Sequence, residues 1–455
     1  MDASALSGPH FNVAVIGAGP AGLFAARELA LQGMGVTLIN RDIKPGGLAE
    51  YGIYPYKTKM KEGLRAQFRQ ILSLPNILYI GNLTVGQTGD LSLDDLRAMG
   101  FDALLVTVGA QGTKWLGLPG EELSGVYHAK DLVYSYNQLP PYSEMHFQLG
   151  RRCAVIGVGN VMLDVTHWLL EEAGVDEIVA VARRGPAEVK FDKKELEAVV
   201  HYLDMPSMLA ELERVRPEML RLGQDPEQFP AIIQQVKDRV APTRNIPNHF
   251  HIEFLASPVR ILAGDHGQVR GLEVEETTLT LKADGDTSAR GLGRFRTIPA
   301  DSVIFAIGDK VDGELGLPVE GIEFVKNPLP RFPVSETSYE VFDRQAGQSI
   351  PDVFVAGWAR QASTGLVGIA RRDGTNGARA LLAYLQTLLP RGLPAAEQLR
   401  ARLAQAQKPF VLKDDLLRLE QIEHERAAAQ GLEFFKFSDN AEMLQAMGLA
   451  LSAEK

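Results

Sequence analysis

Cysteine is almost absent from this chain, because Cys153 is the only one among 455 residues. One thiol cannot form an internal disulfide, supply the ligands of an iron–sulfur cluster or provide the redox pair of a disulfide reductase. Any electron chemistry must therefore run through a bound organic cofactor. Cys153 begins an apolar run at residues 153–156, and we expect it to be packed as a small hydrophobic residue.

Long apolar runs and an excess of positive charge are also missing. No stretch supplies the run of about 18 apolar residues that a membrane span needs. Residues 1–10 lack the pattern of a secretory signal or an Arg-rich presequence, so we expect a cytoplasmic protein. The net charge of −10 argues against general nucleic-acid binding. A length of 455 residues predicts two or three domains.

Residues 13–39 predict a strand, a glycine turn, a helix and a second strand. The candidate binding residues of this turn are Gly17, Gly19, Pro20, Ala21 and Gly22. In a dinucleotide site the first glycine permits the bend, the second lets a pyrophosphate approach, and the third lets helix and strand pack closely. The helix N-terminus then faces the phosphates. The alternative is a glycine-rich turn within another kind of α/β domain.

Further candidate binding residues follow the second strand. Asn40 stands where dinucleotide sites usually place an acid, and its amide oxygen can still accept a hydrogen bond from a ribose. Gly46 and Gly47 would let backbone amides approach a ligand, although glycine pairs also mark plain turns. Residues 101–110 predict a buried strand that ends in glycine, at Gly109.

The same pattern recurs from residue 154. A strand leads to Gly157 and Gly159, a helix follows, and a second strand ends in Arg183 and Arg184. An acid at this place suits the free 2′-hydroxyl of NAD, whereas arginine suits the 2′-phosphate of NADP. Met162 holds the third glycine position, so we expect looser helix–strand packing than in the first turn. A solvated basic turn is the alternative for the two arginines.

The remaining chain predicts mixed structure. Residues 193–244 favour helices, and three strands follow at residues 251–254, 269–275 and 302–307. His249 and His251 are a possible metal pair, but a surface strand is the better interpretation and we expect no metal. A strand at residues 351–358 precedes a small-residue turn and a helix, and residues 390–455 are helix-rich.

No nucleophile–base set stands out, since G-x-S-x-G, H-E-x-x-H and P-loop motifs are missing. We therefore predict no catalytic side chain. Two dinucleotide turns without an acid–base pair suit hydride transfer, in which cofactors carry the chemistry.

Together these residues resemble the adrenodoxin-reductase type of ferredoxin–NADP reductase, including its bacterial members. The likeness covers nearly the full chain. The segments that resemble the family's FAD site are residues 17–22, Gly47 with Leu48 and Tyr51 with Gly52, Val85 within residues 81–86, Gly357 with Trp358, and residues 364–368, which include Gly365, Leu366 and Val367. The segments that resemble its NADP site are Gly159, Asn160 and Val161 with Asp164, residues 183–186 with Arg183 and Arg184, and Glu195. The tail, with Glu425 and residues 443–444, resembles the extension of the bacterial members.

The resemblance implies an α/β fold with two Rossmann-like domains, the NADP domain inserted in the FAD domain, and a helical extension. The implied bounds are 1–110 and 313–390 for FAD, 111–312 for NADP and 391–455 for the extension. NADPH would give hydride to FAD, and electrons would leave singly to a ferredoxin-like iron–sulfur protein. The family's basic docking run is thin here, and its remaining members are Arg214, Arg216, Arg221, Lys237, Arg239 and Arg244. The oligomeric state stays open.

Other classes of protein share the core of two nucleotide-binding domains. A glutamate-synthase small subunit and a disulfide reductase are excluded by the single cysteine, and a flavin monooxygenase by the missing F-x-G-x-x-x-H motif. A flavoprotein dehydrogenase or reductase subunit with another acceptor remains, as does a non-catalytic NADPH-sensing module.

Overall fold

The computed structural model describes residues 11–240, 249–283, 285–406 and 408–449. The N-terminal residues 1–10 and Arg244, which the sequence analysis used, lie outside these ranges. Among the helices formed by these residues, none combines the length and apolarity required to cross a membrane.

The strands are short except in one hairpin. In chain order they are β1 Asn12–Ile16, β2 Gly35–Ile39, β3 Ile77–Ile80, β4 Ala103–Val106, β5 Gly112–Thr113, β6 Val126–His128, β7 Arg152–Ile156, β8 Glu177–Val181, β9 His249–Glu253, β10 Ala256–Ala263, β11 Val269–Leu281, β12 Thr287–Pro299, β13 Ser302–Phe305, β14 Asp309–Lys310, β15 Val319–Glu320, β16 Glu323–Phe324, β17 Glu340–Asp343 and β18 Gln348–Val355.

The helices separate the strands of each parallel sheet and fill the C-terminal part of the chain. They are α1 Pro20–Leu31, α2 Leu48–Tyr51, α3 Thr58–Leu72, α4 Leu93–Ala98, α5 Ala129–Tyr136, α6 Asn160–Glu171, α7 Lys193–Leu196, α8 Met205–Arg221, α9 Gln228–Lys237, α10 Val367–Leu385, α11 Ala395–Ala404, α12 Lys413–Gln430 and α13 Asn440–Met447.

The chain forms two compact units. The first comprises the chain up to Thr113, Tyr134–Glu144 and the chain from Gly308 onward, and the second comprises Lys114–Val133 and Met145–Ile307. The segment Tyr134–Glu144 thus groups with the first unit although it lies inside the predicted NADP-binding domain.

The first unit is built on a six-stranded sheet in the order β17-β18-β4-β1-β2-β3. β1 pairs in parallel with both β2 and β4, so the strand order reverses at β1 and opens a crevice at the carboxyl ends. Val13 and Val15 of β1 belong to the core beneath α1 and α10, whereas Ala14 and Ile16 belong to the core on the opposite face. This alternation is the period of a strand buried on both sides.

The second unit has a five-stranded parallel sheet in the order β6-β13-β7-β8-β9 and a three-stranded antiparallel sheet β10-β11-β12. Ile156 and Val181 pack with Leu272 and Ile298 of the antiparallel sheet in one apolar core. Cys153 is a free, buried thiol in β7, as predicted, and burial raises its pKa to about 12.

Several predicted strands differ in extent from the observed ones, and several observed strands are missing from the prediction. The strand expected at residues 101–110 is confined to Ala103–Val106. β10 and β12 were not predicted; β12 is largely exposed, with the pattern of a solvated ribbon, so no buried face marked it in the sequence.

Candidate cofactor sites

The glycine turn after β1 has the geometry of an anion site. Gly17 has φ +106°, and a Cβ there would lie 2.6 Å from the Thr107 carbonyl oxygen, while a Cβ at Gly22 would overlap the Gly17 carbonyl. At Gly19 a Cβ would meet nothing within 4 Å. Gly19 is the N-cap of α1, and no side chain caps this helix end. Gly17 and Gly22 are therefore needed for packing, and Gly19 leaves open space in front of the first N–H groups of α1.

Asn40 is hydrogen-bonded to this turn from the protein interior. Its side-chain oxygen accepts a hydrogen bond from the Ala18 N–H at 3.0 Å, and its amide donates to the carbonyl oxygens of Asp42 and Lys44 at 2.9 and 3.1 Å. Asn40 is buried. Its side chain therefore holds the turn in shape, a role that the ribose-binding prediction did not include.

Gly46 and Gly47 contact the first glycine turn. Gly46 donates its N–H to the Ala18 carbonyl at 2.7 Å, and a Cβ at Gly47 would lie 3.1 Å from the Gly19 Cα. Gly47 is also the N-cap of α2, which begins at Leu48. The structure thus brings these predicted residues to the first turn.

The start of α1 is covered by two glycines from the end of the unit. A Cβ at Gly357, where φ is +66°, would lie 2.6 Å from the Ala21 Cβ, and a Cβ at Gly374 would overlap the Ala21 carbonyl. Asp373 fixes the neighbouring loop, because its carboxylate accepts from the Gly357 N–H at 2.6 Å and from the Arg360 guanidinium at 2.7 Å. Asp373 is an organising residue that the sequence analysis missed.

The other residues predicted to bind FAD lie in the segment before α10 or follow the strands β3 and β4. The Trp358 indole donates to the Thr364 carbonyl at 2.9 Å, and Gly365 has φ +77°. Leu366 is 60% exposed and caps α10, which begins at Val367. Two further residues, Gly109 and Val85, follow β4 and β3, and Val85 packs on the core around β3 and β4.

The second turn repeats the first in the second unit. Gly157 has φ +120° and passes close to the Ala306 carbonyl, and a Cβ at Gly159, the N-cap of α6, would meet nothing within 4 Å. Val161 is exposed, whereas the Met162 side chain is fully buried. The turn therefore places its larger third residue in the core.

Asn160 ties the second turn to a neighbouring loop. Its side chain accepts from the Asp192 N–H at 2.8 Å and donates to the Asp192 carboxylate at 3.1 Å. Asp192 is the N-cap of α7, which contains Glu195, so Asn160 connects the start of α7 to the second turn.

Arg183 and Arg184 follow β8 but have different surroundings. Arg184 lies 2.9 Å from the Asp286 carboxylate and donates to the Thr287 carbonyl at 3.3 Å. The Arg183 side chain is exposed, and among the described residues none pairs with its guanidinium. Arg183 is therefore available to an anion, while Arg184 is already engaged.

Glu188 organises the loop behind the two arginines, and sequence reasoning missed it. Its carboxylate accepts from the Gly185 N–H at 2.9 Å, from Gln224 at 2.7 Å and from the Thr287 hydroxyl at 3.0 Å. The local signal was an acid three residues after a glycine, since a carboxylate at this spacing can accept from the N–H of the N-cap residue, as the acid of a capping box does.

Along α8, glutamates neutralise the arginines that were expected to form a basic docking surface. Arg214, Arg216 and Arg221 each pair with a glutamate three residues earlier, at 2.7, 2.9 and 2.7 Å. The Arg221 guanidinium holds the pKa of Glu218 down at about 2. α8 is thus a helix of neutralised charge.

The two histidines lie on β9, where His249 is exposed and the His251 imidazole is 3.7 Å from Glu253. Within the described ranges, no group of three His, Cys, Asp or Glu side chains could hold a metal ion.

The fold and the two turns define an α/β protein with two dinucleotide-binding units. A family profile described as "Pyridine nucleotide-disulphide oxidoreductase" matches residues 11–203. The predicted fold class is confirmed.

Similar proteins narrow this class. The chain is 28% identical over 474 residues to "NADPH-ferredoxin reductase FprA" of Mycobacterium leprae, covering 96% of this chain and 99% of that one. It is 28% identical over 395 residues to "NADPH:adrenodoxin oxidoreductase, mitochondrial" of Arabidopsis thaliana, covering 80% of each. The structure of Mycobacterium tuberculosis FprA in complex with NADPH matches with a TM-score of 0.81 at 24% identity, covering 96% and 99% of the two chains. The resemblance to the adrenodoxin-reductase type is confirmed.

Proposed function

We propose that this protein is an FAD-dependent oxidoreductase that takes hydride from NADPH and passes single electrons to a ferredoxin-like iron–sulfur protein. The observation that carries the proposal is the pair of open turns at Gly19 and Gly159, the second of which is followed by the exposed Arg183. A second dinucleotide turn with a free guanidinium favours a 2′-phosphate. The names of the similar reductases support the same electron donor and acceptor.

FAD, when bound, accepts a hydride and releases electrons one at a time. We assign it to the first unit, within residues 1–110 and 313–390, with residues 391–455 as an extension. The N–H groups at the start of α1 would bind its pyrophosphate, because they are uncapped and face open space. The residues proposed to hold it are Gly17, Gly19, Pro20, Ala21, Gly22, Asn40, Gly47, Leu48, Val85, Gly109, Gly357, Trp358, Gly365, Leu366 and Val367.

NADPH is assigned to the second unit, within residues 111–312. The start of α6 would bind its pyrophosphate, and Arg183 would bind the 2′-phosphate through charge-assisted hydrogen bonds. The residues proposed to hold it are Gly159, Asn160, Val161, Arg183, Arg184 and Glu195. No side chain is assigned an acid–base step, so the protein's contribution is binding and orientation.

We also propose that the protein acts in the cytoplasm. The lack of a disulfide framework supports this, since Cys153 is a free thiol. Cell fractionation with an antibody against the native protein would test the location.

The decisive experiment is an anaerobic titration of the yellow holoprotein with NADPH, and separately with NADH, while flavin absorption is recorded. We expect bleaching by NADPH at much lower concentration than by NADH. A colourless protein, or a flavin that neither nucleotide reduces, would contradict the proposed function and favour a non-catalytic module.

The acceptor needs its own assay. Cytochrome c reduction through an added [2Fe–2S] ferredoxin should exceed direct reduction without ferredoxin. A protein that reduces ferricyanide with NADPH but never a ferredoxin would keep the FAD and NADPH assignments and exclude the proposed acceptor.

A further inference from the structure

A group of buried charged residues connects the C-terminal part of the chain to the glycine loop of the proposed FAD site. We call residues 44–50 the glycine loop, because Gly46 and Gly47 lie at its centre. The buried charged group comprises the side chains of Lys44, Glu50, Lys61, Glu423 and Lys436, with the half-buried Arg65 at its edge, all within the first unit.

Lys436 holds the far end of the glycine loop. Its ammonium lies 2.9 Å from the Glu50 carboxylate, donates to the Asn137 carbonyl at 2.9 Å, and sits 3.8 Å from the centre of the Tyr51 ring. Arg65 donates two further hydrogen bonds to Glu50 at 2.8 and 2.7 Å. Glu50 is 3% exposed, and so deeply buried a carboxylate stays ionised only if it is paired. These cations keep the pKa of Glu50 well below its usual range against the opposing effect of burial.

Glu423 of α12 holds the near end. Its carboxylate lies 2.5 Å from the Lys44 ammonium and also accepts from the Phe437 N–H at 3.3 Å. Lys44 and Glu423 are both buried. The Lys44 carbonyl in turn accepts from Asn40, the residue that holds Ala18.

Between these two anchors the loop touches the turn that faces the proposed pyrophosphate. Gly46 donates to Ala18, and Gly47 lies against Gly19. Loops without such anchors relax readily, so the two ion pairs fix where the loop meets the turn.

We propose that Lys436 and Glu423 are positioning residues that fix the glycine loop against the Gly17–Gly22 turn and thereby set the affinity of the first unit for FAD. Neither residue belongs to the proposed cofactor contacts. They act through Glu50 and Lys44. The inference rests on the proposed function, in which the first unit binds FAD.

The test compares FAD dissociation in full-length variants. Lys436→Met and Glu423→Gln remove one buried partner each, and Lys408→Met is the matched control, because Lys408 pairs with Asp90 at a much more exposed position. Dissociation constants come from the recovery of free-FAD fluorescence, and folding is checked by circular dichroism. We expect the FAD Kd to rise at least about tenfold in Lys436→Met, since the buried Glu50 carboxylate then keeps Arg65 but loses its more deeply buried cationic partner. In Lys408→Met the Kd should stay at the wild-type value.

Two readouts separate positioning from general destabilisation. Binding of 2′,5′-ADP to the second unit should stay unchanged, and Glu50→Gln combined with Lys436→Met should weaken FAD binding less than the two single effects predict. Folded variants with the wild-type FAD Kd, additive effects, or equal loss of 2′,5′-ADP binding would each overturn the inference.

Two further outcomes are distinguishable. A wild-type protein that binds no FAD would refute the proposed function rather than the positioning role. Should the variants fail to fold, hydrogen exchange on the wild-type protein decides: amides of residues 44–50 and 436–438 should gain protection together when FAD is added. Protection of the glycine loop alone would overturn the inference.

Discussion

Two adjacent arginines, Arg183 and Arg184, have opposite surroundings, and we expect this difference to decide which of them binds the 2′-phosphate of NADPH. The Arg184 charge is already matched by Asp286, and its guanidinium also donates to a backbone carbonyl. Arg183 is exposed to solvent and has no such partner among the described residues. A phosphate would gain a full ion pair from Arg183, but at Arg184 it must compete with a carboxylate.

We therefore expect Arg183→Ala to raise the KM for NADPH more than Arg184→Ala does. Loss of a charge-assisted hydrogen bond costs about 1.5–3 kcal/mol, and Arg183 should lose most of it. Steady-state reduction of ferricyanide with NADPH and with NADH measures both effects, and NADH serves as the internal control.

Asp286→Asn tests the same explanation from the other side. This variant should lower the KM for NADPH modestly, because Arg184 then becomes available to the 2′-phosphate. The change in binding free energy should not exceed about 1 kcal/mol, the contribution of an exposed ion pair. Equal losses with NADH and NADPH in Arg183→Ala, or a larger effect at Arg184, would contradict the assignment.

Near the contact of α1 with α10, some glycines are needed for packing, and we expect others to be needed for FAD binding. A Cβ at Gly374 would overlap the Ala21 carbonyl, whereas a Cβ at Gly19 would point into open space. Gly374→Ala should therefore lower the free energy of unfolding of the apoprotein by about 1–3 kcal/mol, the usual effect of overpacking. Urea denaturation measures this change.

Gly19→Ala is the counterpart. It should leave apoprotein stability nearly unchanged and weaken FAD binding, since the methyl group would occupy the space in front of the α1 N-terminus. A Gly19→Ala protein with wild-type FAD affinity would argue against a pyrophosphate at this helix end.

α8 gives a prediction about the electron acceptor. Arg216 and Arg221 are each matched by a glutamate one turn earlier, so they add little to the electrostatic potential that steers an acidic partner. Arg216→Gln and Arg221→Gln should change the KM for a ferredoxin by less than about twofold. Ferricyanide reduction is the control for the steps before docking. A large, salt-dependent rise in KM would instead place the docking surface on α8.

The whole molecule shows which features a sequence can predict. Both strand–turn–helix units were predicted, because continuous apolar runs and the glycines of the turns that follow them leave local patterns. β12 left none, since it carries arginine and glycine on exposed faces. Asp373 and Lys436 were missed for another reason. They act on Gly357 and Glu50, and the second pair is separated by nearly the whole chain, so no spacing motif connects them.

That buried charged group also gives the molecule a dependence on pH. Burial lowers the pKa of Lys61 to about 8 and that of Lys436 to about 7, whereas lysine in an unfolded chain titrates near 10.4. Between about pH 8 and 10 the unfolded chain therefore binds more protons than the folded protein, and the free energy of unfolding should rise with pH. Above that range, buried tyrosines such as Tyr134, whose pKa burial raises, act in the opposite direction.

Urea denaturation at several pH values in this window measures the slope. Lys61→Met should reduce this slope, because the variant lacks one of the two buried lysines whose pKa is lowered in the folded protein. Lys59→Met is the matched control, since Lys59 lies two residues earlier in α3 and is exposed, and it should keep the wild-type slope. A wild-type stability that falls between about pH 8 and 10, or identical slopes in all three proteins, would contradict the lowered pKa of the two buried lysines.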